Sequence, residues 1–240
     1  MERDNSSGRL EVKVALEIAT QVAAGLVAVH KQKLVHRDIK PSNIMVNVQE
    51  GSTVAAKIID LGLAKSAPDA PGEAAISIPG AFAGTPEFAS PEQFAGVQVD
   101  IRSDLYSLGV TLWEMLTGKT PFRGTPGEVM YQHQHTQLPL EQLEDVPQPL
   151  VVLLEALLEK DPGRRFQNPA DLLKAMATII GRIDIGRRIT REDLHKTPPP
   201  ASRAGTRQPP ARVGPENISV ARLPVTASDV FGRGGYRFPG

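Results

Sequence analysis

The sequence predicts a mostly helical body with a few short β-strands near its front edge, followed by a disordered tail. Three observations predict it. Apolar residues recur at helical spacing over long stretches, apolar runs bounded by turn residues are few and short, and periodicity stops in a Pro- and Gly-rich end. The 240 residues suit one domain plus a tail, and 40% hydrophobic residues suffice for a core.

Val14, Ile18, Val22, Leu26 and Val29 place a helix over Leu10–His30. Short apolar strands follow at Leu34–Val35, Ile44–Val46 and Ala56–Ile59, with Asn47–Thr53 as the turn between the last two. Ser66–Gly84 reads as a Pro- and Gly-rich loop. Asp104–Leu116 is a helix that stops before Gly118. Further helices are expected at Pro126–His135, Pro149–Lys160 and Pro169–Ile180, with Trp113 and Phe122 in the core. Pro and Gly dominate Thr197–Pro224, so residues 184–240 are expected to be a linker or tail behind a body of residues 1–183.

Charge excludes little but guides expectation. The 27 Lys/Arg balance the 27 Asp/Glu, so nothing in the net charge favours nucleic acid or an anionic membrane surface. Residues 181–240 carry 11 Lys/Arg against 5 Asp/Glu, which leaves the body net acidic. That basic stretch lacks aromatics interleaved with its arginines, as stacking on bases would need, and reads as a solvated linker. Without Cys there is no disulfide or thiolate metal site. Met1–Leu10 lacks the apolar core of a signal peptide, and no apolar run approaches the roughly 20 residues that span a bilayer. A cytoplasmic protein is the expectation.

Three motifs carry chemistry. His36-Arg37-Asp38-Ile39-Lys40-Pro41-Ser42-Asn43 follows a long helix and precedes a short strand. Asp60-Leu61-Gly62 directly follows an apolar strand. Gly84-Thr85-Pro86-Glu87-Phe88-Ala89-Ser90-Pro91-Glu92 follows the long loop. The first resembles the catalytic loop H-R-D-L-x-x-x-N of eukaryotic-type (Hanks-type) serine/threonine protein kinases, with Ile39 in place of Leu. The second resembles their D-F-G motif with Leu in the middle. The third resembles the end of their activation segment, with Ser90 where Ala of A-P-E is usual and Phe88 where Tyr is frequent.

The resemblance covers Gly8–Ile180 and implies a kinase C-terminal lobe of bacterial type. It implies ATP and Mg²⁺ as cofactors and a protein Ser/Thr hydroxyl as acceptor. Asp38 would receive the proton of the attacking hydroxyl. Lys40 would neutralise the transferring phosphate and favours serine/threonine over tyrosine acceptors. Asn43 and Asp60 would hold the metal, and Met45 would lie under the adenine. Thr85 would bond Asp38 and Lys40. Gly62 would let the backbone turn sharply after Asp60. Glu92 would pair with Arg165, and Asp104 would anchor the backbone of the catalytic loop, its simpler reading being a helix N-terminal Asp favoured by the dipole. Arg37 would meet a phosphate on the activation segment, with Ser77 the best candidate to carry it and His36 completing the loop.

The resemblance starts midway. Only 35 residues precede His36, and they carry no Gly-rich loop followed by a strand lysine. Lys13 lies within the helical pattern. Gly232-Arg233-Gly234-Gly235 begins like such a loop but fails at its third glycine. Ile218–Arg233 resembles the entry into signalling ATPase domains fused behind some bacterial kinases. The expectation is therefore a piece of a larger signalling protein, with weak ATP binding and little turnover alone. A kinase-derived binding or scaffold module, or half of a split kinase, are the alternatives.

Overall fold

The computed structural model describes residues 8–48, 54–60 and 84–195. Gly62, Ser66, Ser77 and the end from 196 to 240 lie outside the described residues, as do the expectations made for them. The described residues form six α-helices, α1 (Val12–Lys31), α2 (Pro91–Ala95), α3 (Ile101–Thr117), α4 (Pro126–His135), α5 (Gln148–Leu157) and α6 (Pro169–Asp184), and one antiparallel hairpin, β1 (Ile44–Val48) and β2 (Val54–Ile58), which packs against α1. Ile44 pairs with Ile58 and Val48 with Val54. The first β-strand expected, Leu34–Val35, does not form. Lys33 takes a left-handed φ of 57°, and the Leu34 N–H turns back to the Val29 carbonyl at 3.3 Å, closing the end of α1 instead.

α3 is the centre of the core. Trp113, Tyr106, Leu105, Leu108 and Leu112 on it are fully buried, and α1, α5 and the 86–88 turn pack around it. Its boundaries follow from two residues. Asp100 caps the start by accepting the Arg102 N–H at 2.9 Å, and Gly118 ends it at a left-handed φ of 77°. Gly109 is required by approach rather than by φ: a Cβ there would lie 2.8 Å from Leu157 Cβ, so α5 can come close only over a glycine.

Two expectations need correction. The body does not end at residue 183. α6 runs to Asp184, and Ile189 and Leu194 are buried in the same core, with Gln148 exchanging two hydrogen bonds with the Ile189 backbone. Two apolar side chains spaced across a polar run left no periodic signal. Second, one helix, Val12–Lys31, is by length and composition apolar enough to cross a membrane. Scattered charges at Lys13 and Glu17 hide this in a residue-by-residue reading. Its side chains Ala15, Leu16, Ile18, Ala19, Val22, Ala23 and Leu26 are buried, and it packs on α3, α6 and β2 as a core helix.

Candidate active site

The loop between α1 and β1 is held from below by one carboxylate. Asp104, fully buried on the first turn of α3, accepts the His36 N–H at 2.8 Å on one oxygen and the Arg37 N–H at 2.7 Å on the other. Arg37 has a left-handed φ of 67°, which turns two successive N–H groups toward the same anion. A non-glycine residue in that region costs of order 1–3 kcal/mol and persists where surroundings over-determine it. Burial pushes the Asp104 carboxyl up to about 7, against the two N–H donors and the Arg37 charge, which favour the ionised form.

The loop is closed from the side as well. Gln93 on α2 donates to the Arg37 carbonyl at 3.1 Å while its Oε1 accepts the Ser90 N–H at 2.9 Å. Ser90, a departure from the A-P-E pattern, is thus the N-cap of α2 in a Ser-x-x-Gln capping box. Gln93 was missed in the sequence, although the capping box was there to find it. Ile39 is completely buried and fixes the loop into the core.

On this base stand the polar side chains. Asn43 Nδ2 donates to both the carbonyl and Oδ2 of Asp38, each at 2.8 Å. Lys40 Nζ lies 3.1 Å from Asp38 Oδ2 and donates to Thr85 Oγ1 at 2.7 Å. Asp38, Lys40, Asn43 and Thr85 therefore form one connected cluster. Asp60 joins it through the backbone, because the Ile59 N–H donates to the Asn43 carbonyl at 2.9 Å. Asp60 is exposed, with a left-handed φ of 53°, the second strained residue of the site. His36 bridges the two segments: its Nε2 donates to the Ile59 carbonyl at 3.3 Å and its Nδ1 faces the Asp38 N–H at 3.4 Å. Burial holds its imidazole below the usual range, although the Ile59 carbonyl, Asp38 and Asp60 all favour the charged form.

The donor set fits a hard divalent cation. With its Nδ2 committed to Asp38, Asn43 keeps Oδ1 for a metal, and Asp60 adds a carboxylate one residue from the Ile59–Asn43 bond. Among the described residues no group of three or more His, Cys, Asp or Glu could hold a metal. Met45, half-exposed, stands on β1 two residues after Asn43. Lys13 is exposed on α1 and takes no part in the cluster.

Glu92 and Arg165 lie behind the loop. Arg165 donates from both terminal nitrogens to both Glu92 oxygens, at 2.7 and 2.9 Å. Burial alone would push the Glu92 carboxyl up, but Arg165 and the Ser103 hydroxyl hold it below the usual carboxylate range. Arg165 also stacks over Tyr106 at 4.7 Å.

One short loop thus brings a carboxylate, a lysine and an amide together over a helical floor. The protein kinase domain family matches residues 1–176. The chain is 36% identical over 176 residues to a probable serine/threonine-protein kinase of Clostridium acetobutylicum, covering 72% of this chain and 26% of that protein. It is 39% identical over 169 residues to the serine/threonine-protein kinase pkn2 of Myxococcus xanthus, covering 68% of this chain and 20% of that one. With PknB of Mycobacterium tuberculosis it shares 35% over 171 residues, covering 70% and 26%. Its fold is similar to Rad53 residues 1–466 crystallised with AMP-PNP, with TM-score 0.56 and 25% identity over 69% of this chain and 40% of that one. The chain belongs to the protein kinase family, among bacterial serine/threonine kinases of Hanks type. It spans about a quarter of the length of the curated relatives it matches.

Proposed function

We propose that this site transfers the γ-phosphoryl group of ATP to a serine or threonine hydroxyl of a protein. The observation that carries the reading is the cluster in which Asp38 meets both Asn43 and Lys40, and Lys40 meets Thr85. The acceptor oxygen attacks the γ-phosphorus, the bond to the bridging oxygen breaks, and ADP leaves. The hydroxyl proton passes to the Asp38 carboxylate, which Asn43 orients through its Nδ2 donor. Lys40 stands beside Asp38 with its ammonium directed by Thr85, where it offsets the charge gathering on the transferred group. Mg²⁺, when bound at Asn43 and Asp60, neutralises phosphate charge.

Positioning is the greater part of such catalysis, and it needs a grip on the nucleotide. Among the described residues only Asn43, Met45 and Asp60 face that task. Leu34 and Met45 are 50% and 47% exposed beside the loop, a surface that suits cover by a further lobe and supports the split or multidomain form of the reading. The isolated chain is expected to bind ATP weakly and turn over slowly. A cytoplasmic reaction belongs to the same proposal, since ATP is its donor.

The test is transfer of radiolabelled phosphate from ATP to a serine/threonine peptide library, by the full chain alone and with a separately expressed kinase N-terminal lobe from one of the bacterial relatives. Transfer that appears with the lobe and disappears with Asp38→Asn supports the reading. A folded chain that transfers nothing in either condition, or transfer indifferent to Asp38→Asn, overturns it.

A further inference from the structure

His133 on α4 is completely buried, an unusual place for an imidazole. Three rings surround it: Phe122 at 5.0 Å, Tyr106 at 5.6 Å and Phe94 at 5.8 Å between centroids. Packing alone would be satisfied by Phe or Leu in such a cage. Both ring nitrogens are used instead. The Tyr106 hydroxyl donates to Nδ1 at 2.8 Å, and Nε2 donates to the Glu87 carbonyl at 3.0 Å. The pair of bonds fixes the neutral tautomer with its proton on Nε2. Burial, and then the Lys160 cation that sits 4.4 Å over the Phe122 ring, hold the imidazole down to about 4, so it is a single-direction donor at neutral pH.

The acceptor of that bond is main chain, so the bond acts on the path of the backbone and not on the identity of residue 87. Glu87 lies in the 86–88 turn, two residues after Thr85, whose hydroxyl receives the Lys40 ammonium. Lys40 links Thr85 to Asp38, so a peptide with its hydroxyl seated at Asp38 would pass beside the start of this turn. His133 meets the turn at Glu87, between Thr85, which accepts from Lys40, and Ser90, whose N–H donates to Gln93 Oε1.

We infer that His133 is a positioning residue for the acceptor peptide: its Nε2 donor sets the depth of the 85–89 backbone, and through it peptide affinity, without touching nucleotide or phosphate. The inference rests on the kinase reading above.

Two substitutions separate positioning from packing. A glutamine places its amide nitrogen near the position of Nε2, an asparagine near that of Nδ1. In the full chain supplied with the N-terminal lobe, His133→Asn is expected to raise KM for a serine peptide about three- to tenfold, the loss of one hydrogen bond, with kcat and KM for ATP unchanged. His133→Gln is expected to restore KM. Amide exchange in the chain alone is expected to quicken at 87–89 in His133→Asn but not in His133→Gln, with His36 and Arg37 unaffected. Equal KM in the two variants, or KM changes that follow the melting temperature, overturn the inference. If the wild-type chain transfers no phosphate even with the N-terminal lobe, the kinase reading fails, and the exchange pattern still decides: the same protection at 87–89 in both variants ends the anchoring role.

Discussion

Glu92 and Arg165, one at the start of α2 and the other ahead of α6, share two hydrogen bonds with side chains 6% and 0% exposed. Such a pair is judged by what remains when half of it is removed. Arg165→Ala leaves the Glu92 charge buried without its partner and is expected to cost about 3–5 kcal/mol. The double substitution E92M/R165M removes both charges and is expected to cost clearly less. Urea unfolding of the three proteins checks this. An Arg165→Ala variant no less stable than the double variant would show that the pair is not desolvated as the burial implies.

Asp104 and His133 predict pH slopes of opposite sign. The Asp104 carboxyl stands at about 7 when folded, above the ordinary value near 4. Between those values the folded state binds the proton more tightly than the unfolded chain, so its contribution is full below about 4 and is lost as pH rises toward 7. The His133 imidazole stands at about 4, below the ordinary value near 6.5. Here the folded state binds the proton less tightly, so its contribution is full above about 6.5 and is lost as pH falls toward 4. Lys160 is the cation facing it across Phe122, and the lysine is itself pulled to about 8, by burial first and Arg165 second. Each slope amounts to something on the order of 3 kcal/mol across the window.

The two slopes oppose each other in the intact chain. His133→Gln is therefore expected to leave a protein whose stability falls from pH 4.5 to 6.5, and Asp104→Asn one whose stability rises over the same range. Denaturant unfolding at several pH values measures both. Parallel profiles in the two variants would count against the assignment. Asp104→Asn also sets an amide NH₂ against one of the two loop N–H groups, which is expected to cost about 1–3 kcal/mol and to quicken amide exchange at His36 and Arg37.

The cluster itself was legible in the sequence, because the motifs that carry it fix residue types at local spacing. Asp38, Lys40 and Asn43 sit within one six-residue run, and the structure brings Thr85 to them. α4 starts and stops where Pro126 and His135 place it, since its Thr125–Glu128 capping box is a local signal. Local signals also misled. Leu34–Val35 is apolar enough for a β-strand but pairs with none of the described residues, and pairing is not written in two residues. His133 and Gln93 went unread because each acts across the fold: one meets a carbonyl 46 residues away and the other a carbonyl 56 residues away. The packing of Ile189 and Leu194 escaped for the same reason, since two apolar side chains in a charged stretch show their worth only against α5 and α6.

Gly109 gives a prediction about packing alone. Its missing Cβ lets α3 meet α5 with Leu157 Cβ only 2.8 Å from where the methyl would be. The neighbour is the root of a side chain, which cannot swing away as a chain end can. Gly109→Ala gains helix propensity of up to about 1 kcal/mol yet is expected to be destabilising by about 1–3 kcal/mol net, because the helices must part. Thermal unfolding checks the sign. A more stable Gly109→Ala variant would mean that α3 and α5 have room to spare.

Lys40 and Asp38 predict how the site fails as a unit. Their side chains are 20% and 39% exposed, so neither is needed to hold the fold, and unfolding of Lys40→Ala and Asp38→Asn is expected to match the parent. Under the proposed reaction, Asp38→Asn removes the proton acceptor and is expected to slow transfer by about 10²–10⁴-fold. Lys40→Ala removes one charge from the developing phosphate and is expected to slow it by about 10²–10³-fold. The ammonium and the carboxylate act on the same transferred group at the same moment, so their losses do not add. The double variant is expected to be nearly as fast as Asp38→Asn alone, because once the proton has no acceptor the lysine has little left to stabilise. Single-turnover phosphate transfer by the lobe-complemented chain measures all three. Losses that multiply would mean that Lys40 works apart from Asp38, in nucleotide binding and not in the transfer step.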